Sequence, residues 1–327
     1  MHILVTGGAG YLGSVVTEEL LNAGQDVIIF DNLAHGHRAA VHPAATFVHG
    51  DLGDRAALER TFTTYRGIKA VIHLAMHTSA SESWQRPERY LHENLANGVN
   101  LMATAVRHDI GRFILASSAD VCGGPGPVPI IEQAPSYPVS PYSESLYLLE
   151  RALSWYERCA GLRYAVLRCF NVAGATERCG EHHVPETHLI PGLLNVALGW
   201  RSHVTLFGDD YPTPDGTTVR DYVHVRDVAR AMIGVLAALE QRSRIYNVGA
   251  GQGSSTMEVI MVARRVTGHA LPCVVEPRRP YEPIVQIAAT QQIRAELGWE
   301  PRYSDLEGII ESAWAWQRRH PYGYDSD

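Results

Sequence analysis

The stretch Ile3-Leu4-Val5-Thr6-Gly7-Gly8-Ala9-Gly10-Tyr11-Leu12-Gly13 decides the fold. Ile3 to Val5 reads as a short apolar strand that runs straight into the glycines. Val15, Val16, Leu20 and Leu21 then recur at helical spacing until Gly24. Val27 to Phe30 reads as a second strand, closed by Asp31. Strand, glycine turn, helix and strand in that order describe a dinucleotide site. Gly7, Gly10 and Gly13 let the backbone turn tightly. A pyrophosphate can then approach main-chain N–H groups where Tyr11 and Leu12 open the helix, at the end whose dipole favours anions. Asp31 can accept from both hydroxyls of an adenosine ribose and repels a 2′-phosphate, so the pattern points to NAD rather than NADP.

The rest of the composition narrows the class. At 327 residues the chain suits one large or two fused domains with a substantial core. A formal net charge of −7 leaves no basic footprint for nucleic acid. No apolar run reaches the length of a membrane span, and the N-terminus is itself a core strand, so neither a membrane segment nor a signal peptide is expected. The five cysteines are odd in number and lack CxxC pairing, which fits a reduced, cytoplasmic protein. Lys69 is the single lysine.

Beyond Asp31, Thr46 to Val48 leads to Gly50-Asp51-Leu52. Asp51 is placed to touch an adenine amino group or to N-cap a helix starting near Arg55. Ala70 to Ala75 is an apolar run of the kind buried on both faces of a parallel sheet. Asn94 to Val106 reads as a helix, Arg112 to Ala116 as a strand ending in Ser117-Ser118, and Tyr142 to Cys159 as a helix with Leu146, Leu149 and Leu153 on one face. Ala165 to Arg168, a helix from Val228 to Leu239 and a strand from Ile245 to Val248 continue the alternation. The fold class is α/β: a Rossmann-type doubly wound parallel sheet with a smaller C-terminal substrate lobe. The NAD lobe is expected over 1–172, completed by segments within about 219–248, and the substrate lobe over 173–327.

Several separated segments carry a family resemblance. Thr6 to Ser14, Arg168-Cys169-Phe170-Asn171-Val172-Ala173-Gly174-Ala175, Pro185 to Pro191, Phe207 to Gly216 continuing to Arg220-Asp221-Tyr222-Val223-His224-Val225, and Leu297-Gly298-Trp299 together resemble the UDP-galactose (UDP-glucose) 4-epimerases, among the extended short-chain dehydrogenases/reductases. The resemblance implies NAD as cofactor, a UDP-sugar as substrate and a homodimer built from the helices at Asn94–Val106 and Tyr142–Cys159. It adds Asn32, Leu52, Leu74, Ala75, Asn94 and Tyr142 to the residues around NAD. It assigns Ser118, Asn171 and the main chain at His188 and Leu189 to the sugar nucleotide, and Phe207 to the uracil. Arg220 and Arg279 fall to the diphosphate, and residue 282 to a ribose contact.

The resemblance also implies how the chemistry runs. A Ser/Thr, a Tyr and a Lys act together, the last two as Tyr-x-x-x-Lys on one helix face. The tyrosine takes a proton from the sugar 4-hydroxyl as hydride leaves C4, and the 4-keto sugar turns over before hydride returns. Ser118 and Tyr142 stand at the expected positions, but Leu146 replaces the lysine. Lys69 precedes its strand, at the sheet end away from the site. A free tyrosine has a pKa of about 10, so a lysine that brings it near 7 supplies roughly 4 kcal/mol.

Other departures from the family pattern gather nearby: Cys122, Cys169, Ser143, Asp120 and Thr78, with Tyr281 and Glu282 in place of Gly and Asp. Gln286 takes the position where a bulky tyrosine excludes N-acetyl sugars in some members. His77 and Asp120 are the titratable candidates for a substitute base. Three readings stay open: a slowed UDP-hexose 4-epimerase, a related nucleotide-sugar oxidoreductase, dehydratase or epimerase using another base, and a silent NAD and nucleotide-sugar binder. No metal is expected, because His182, His183 and His188 lie in an irregular loop without ligand spacing.

Overall fold

The computed structural model describes residues 1–239, 241–280 and 282–324. Its centre is a seven-stranded, wholly parallel sheet. Six strands are β1 (His2–Thr6), β2 (Asp26–Asp31), β3 (Thr46–His49), β4 (Ile68–His73), β5 (Arg112–Ser118) and β6 (Arg163–Cys169); the seventh is Arg244–Val248. Their order is Arg244–Val248, β6, β5, β4, β1, β2, β3. The chain therefore winds outward in both directions from β1 and β4, and a crevice opens between their carboxyl ends.

Alternation along the strands builds two cores. Ile3, Val5, Ile29 and Ile72 face one way and pack under α1 (Tyr11–Asn22) and the helix Val225–Ala238. Leu4, Ile28, Val71, Phe113 and Leu115 face the other way, against Leu101, Met102, Leu146, Leu149 and Leu153. Residues two apart share a face, so each strand serves both cores, as expected of parallel strands covered on both sides.

The long helix Pro141–Ala160 has clear local causes. Ser140 caps it, Pro141 stands at its first position, and Gly161 ends it in the left-handed region. Ser143 completes a capping box: its hydroxyl accepts from Ser140 N at 3.0 Å while Ser140 Oγ accepts from Ser143 N at 3.1 Å. That gives the serine after Tyr142 a structural role. The helix expected from Asn94 differs from observation. Residues 90–96 form a π-helical turn, and the regular helix spans Asn97–Arg107. A third core, with Leu193, Leu194, Val259, Ile260, Ile309 and Ile310, holds the C-terminal lobe together. No helix among the described residues is long and apolar enough to cross a membrane.

Candidate active site

The glycine turn leaves room for a ligand because its backbone packs too tightly for side chains. Gly7 has φ +74°, and a Cβ on it would lie 2.6 Å from Ala75 N; a Cβ on Gly13 would lie 2.0 Å from Gly7 O. The turn is drawn in by Gly10 N, which donates to Gly7 O at 3.1 Å. No side chain caps α1, so its first-turn amides face the crevice with the positive end of the dipole. Asp31 stands at the tip of β2 and is 7% exposed. Its Oδ2 accepts from Ala9 N at 2.9 Å and its Oδ1 from Leu33 N at 2.8 Å. Each carboxylate oxygen keeps a second lone pair for a hydroxyl. This cradle fits a dinucleotide. Tyr11 also ties the lobes, its hydroxyl donating to Gly174 O at 2.6 Å.

Beside the cradle, Asn32 Nδ2 donates to Asp51 Oδ2 at 2.6 Å, and Asp51 Oδ1 accepts from Gly53 N at 2.7 Å. The alternative helix-cap role for Asp51 is corrected: Asp54 caps the helix Arg55–Thr64 through Ala56 N and Ala57 N, both at 3.0 Å. Leu52 is buried next to Asp51, and Leu74 and Ala75 follow β4 across from Gly7. Asn94 is buried in the π turn. It bonds the main chain of His77 in both directions, at 2.8 and 3.0 Å, and donates to Ser145 Oγ at 3.2 Å. It thereby pins the loop after β4 to the long helix.

Ser118 ends β5 and Tyr142 begins the long helix, so both reach the carboxyl edge of the sheet. Burial and then the Asp120 carboxylate push the Tyr142 phenol well above its ordinary pKa, while the nearby Ser118 hydroxyl pulls the other way. Leu146 lies one turn further along, fully buried among the apolar residues of the second core. Lys69 is exposed at the opposite, amino-terminal end of β4. Another turn along stands Glu150. Its carboxylate is clamped by Arg168, Nη2 to Oε2 at 2.7 Å, and by Ser117 Oγ at 2.6 Å. The buried cation near this face is thus already neutralised.

Sequence reading missed that pair. Its signal is an acidic residue on the apolar face of an amphipathic helix, eight positions after the tyrosine. It also missed that Gln286 donates to Asp120 Oδ1 at 3.1 Å, which holds the carboxylate beside Tyr142. His77 is engaged elsewhere, with Nε2 2.5 Å from Glu93 Oε2. Cys122 Sγ accepts from Arg168 at 3.2 Å, and burial pushes the Cys169 thiol up to about 12.

The substrate candidates gather on the C-terminal lobe. Asn171 begins a short strand directly after β6, and His188 precedes the helix Leu189–Ala197. Phe207 ends the strand Val204–Phe207, and the Arg279 guanidinium lies 3.8 Å from its ring centroid. Arg220 donates to Glu282 Oε1 at 3.1 Å, so the residue replacing the expected aspartate reaches the candidate diphosphate arginine. Tyr281 lies outside the described residues. The reason for rejecting a metal is corrected: His183 and His188 converge with Glu181 and Glu186, whereas His182 turns to His37, Nδ1 to Nε2 at 3.2 Å.

Residues 3–249 match the NAD dependent epimerase/dehydratase family. The chain is 43% identical over 331 residues to the UDP-glucose 4-epimerase of Halalkalibacterium halodurans, covering 100% of this chain and 98% of that one. Its structure is similar to the UDP-glucose 4-epimerase of Brucella ovis in complex with NAD, at TM-score 0.92, 36% identity and coverage of 96% and 97%. It is similar also to that of Bifidobacterium longum in complex with NAD+ and UDP, at TM-score 0.95, 33% identity and coverage of 99% and 100%. With the glycine cradle, Asp31 and the Ser118–Tyr142 pair on one sheet edge, the chain belongs to the NAD dependent epimerase/dehydratase family.

Proposed function

We propose that the chain is an NAD-dependent 4-epimerase of a UDP-hexose, of the UDP-glucose/UDP-galactose kind, slowed by the loss of a cation beside its catalytic phenol. The observation that carries this reading is the placement of Ser118 at the end of β5 and Tyr142 in the first turn of the long helix, at the same carboxyl edge of the sheet as the glycine cradle. The similar chains are UDP-glucose 4-epimerases, and one of the related structures holds NAD+ together with UDP. Bound NAD supplies the acceptor and donor of hydride. Gly7, Gly10, Gly13 and Asp31 would hold it.

The remaining work belongs to side chains. Tyr142 takes the proton from the sugar 4-hydroxyl and returns it, and Ser118 orients that hydroxyl. Arg220 and Arg279 neutralise the diphosphate with planar guanidinium forks. Asn171 and the main chain at His188 and Leu189 hold the nucleotide sugar, and Phe207 lies along the uracil. Asp120, held by Gln286, favours a second reading in which a carboxylate serves as the base.

The chain is further proposed to work in the cytoplasm as a homodimer, joined through the helices Asn97–Arg107 and Pro141–Ala160. Its cysteines are all free, as a reducing compartment requires. Incubation with UDP-galactose, UDP-glucose and their N-acetyl forms, followed by NMR of the products, tests the function. Interconversion of a C4 pair that Tyr142→Phe abolishes is expected. Turnover that survives Tyr142→Phe and vanishes in Asp120→Asn assigns the base to Asp120. Binding of NAD and UDP without any product returns the chain to the silent-binder reading.

A further inference from the structure

The turn between Gly180 and the helix Leu189–Ala197 folds back so that four side chains converge. Glu181, His183, Glu186 and His188 each bring one ligand atom into a group whose members all lie within 4.8 Å of one another. His188 Nδ1 is 2.8 Å from Glu181 Oε1 and 3.2 Å from Glu186 Oε1. His183 Nδ1 is 3.2 Å from Glu181 Oε1 and 3.9 Å from Glu186 Oε2. A tetrahedral ion with bonds of about 2.1 Å has ligand-to-ligand edges of about 3.4 Å, inside that spread.

His188 is bonded within the cluster, through its main-chain N to Glu186 Oε1 at 2.7 Å and its Nδ1 beside both carboxylates, but His183 is not. His183 Nδ1 is shut off from solvent and makes no hydrogen bond, although two carboxylates stand before it. Those carboxylates are taken out of water, with Glu181 and Glu186 side chains 9% and 6% exposed. Among the described residues their ion partners are the two imidazoles alone. When a divalent cation takes the place of the imidazole protons, the same nitrogens turn lone pairs to it and the two withdrawn carboxylates stay neutralised. His182 sits between these ligands in sequence but faces His37, so the grouping is not a by-product of local histidine content.

We propose that Glu181, His183, Glu186 and His188 form a closed, four-ligand site for a divalent transition ion of the zinc class, which fastens the 181–188 turn to the helix that follows. Two neutral imidazoles and two carboxylates balance the charge of such an ion, and a full set of protein ligands marks a structural role. The epimerase reading uses only the main chain of His188, whereas this site uses the four side chains, so either can fail without the other.

The test is metal content and coordination of the full chain, with any affinity tag removed. Protein desalted without chelator is expected to carry about one zinc per chain by plasma mass spectrometry. After stripping, Co2+ should restore the intense visible absorption of a tetrahedral site. His183→Ala and Glu186→Gln should each weaken Zn2+ binding at least about tenfold, and His182→Ala should leave it unchanged. No saturable Zn2+ site in the parent chain, a weak octahedral Co2+ spectrum, or undiminished binding in both ligand variants overturns the proposal. Should a variant fail to fold, the Co2+ spectrum of the unsubstituted chain decides the matter.

Discussion

Three residues spaced four apart on one helix face set the reactivity of the site. Tyr142 is the proposed acid–base group, Leu146 stands where the family resemblance places a cation, and Glu150 captures the nearby buried arginine, Arg168. Every strong influence on the phenol except Ser118 disfavours its ionisation, with burial first and the Asp120 charge next. If the phenolate is the base, as proposed, its population rises about tenfold per pH unit while pH stays below the raised pKa. Activity should therefore climb steadily from pH 7 to 9 in a rate–pH profile, and a plateau already at pH 7 would exclude Tyr142 as the base. Leu146→Lys places an ammonium four residues on from Tyr142, on the same helix face, and lowers the phenol pKa. It should raise kcat on a UDP-hexose at pH 7 by at least about tenfold, one pKa unit being about 1.36 kcal/mol, and flatten that profile. An unchanged kcat in a variant whose thermal melt is intact refutes the view that Leu146 limits the rate.

At the level of elements, regular structure was the most legible part of the sequence. Glycine spacing before α1, apolar runs in β4 and β6, and the leucine stripe of the long helix all arise from local pattern, and each appears where that pattern puts it. What stayed hidden depends on distant partners. The π turn at 90–96 is shaped by Asn94 reaching both His77 and Ser145, a tertiary demand invisible in the run of residues. Ser143 looked like a change at the catalytic helix, and only the capping geometry gives it a purpose. The convergence of Glu181, His183, Glu186 and His188 stayed hidden, and a metal reading of the histidines was set aside, for a related reason: an irregular turn brings residues together without any periodicity to announce it. The long helix keeps apolar side chains toward solvent. Trp155 is exposed and Leu148 partly so, while Ala152 between them packs against the second core. Trp155→Arg puts a charge there. Light scattering should then report a monomer where the parent chain is a dimer, with the thermal melt of the fold preserved. A dimer of unchanged mass would move the interface to another surface.

Across the whole molecule, the candidate ligand residues divide between two cores. The cofactor candidates stand on loops leaving β1, β2 and β4 of the parallel sheet, whereas Phe207, Arg279 and the His188–Leu189 main chain belong to the lobe with its own apolar centre. A ligand that binds only the folded chain raises its stability by about 2.7 kcal/mol at a hundred times its dissociation constant. NAD and UDP should therefore each raise the melting temperature, through separate residues. Asp31→Asn removes the carboxylate charge at the tip of β2 and keeps a carbonyl oxygen for one of its two backbone donors. It should lose most of the NAD-induced shift and keep the UDP-induced one. Arg279→Ala, on the loop beside Phe207, should show the reverse pattern. The Tyr11 hydroxyl bonded to Gly174 O links the lobes, and both shifts are expected in a single melting transition. If either substitution abolishes both shifts while the ligand-free melt is unchanged, the two handles are not separate, and the division of labour assigned to the lobes is wrong.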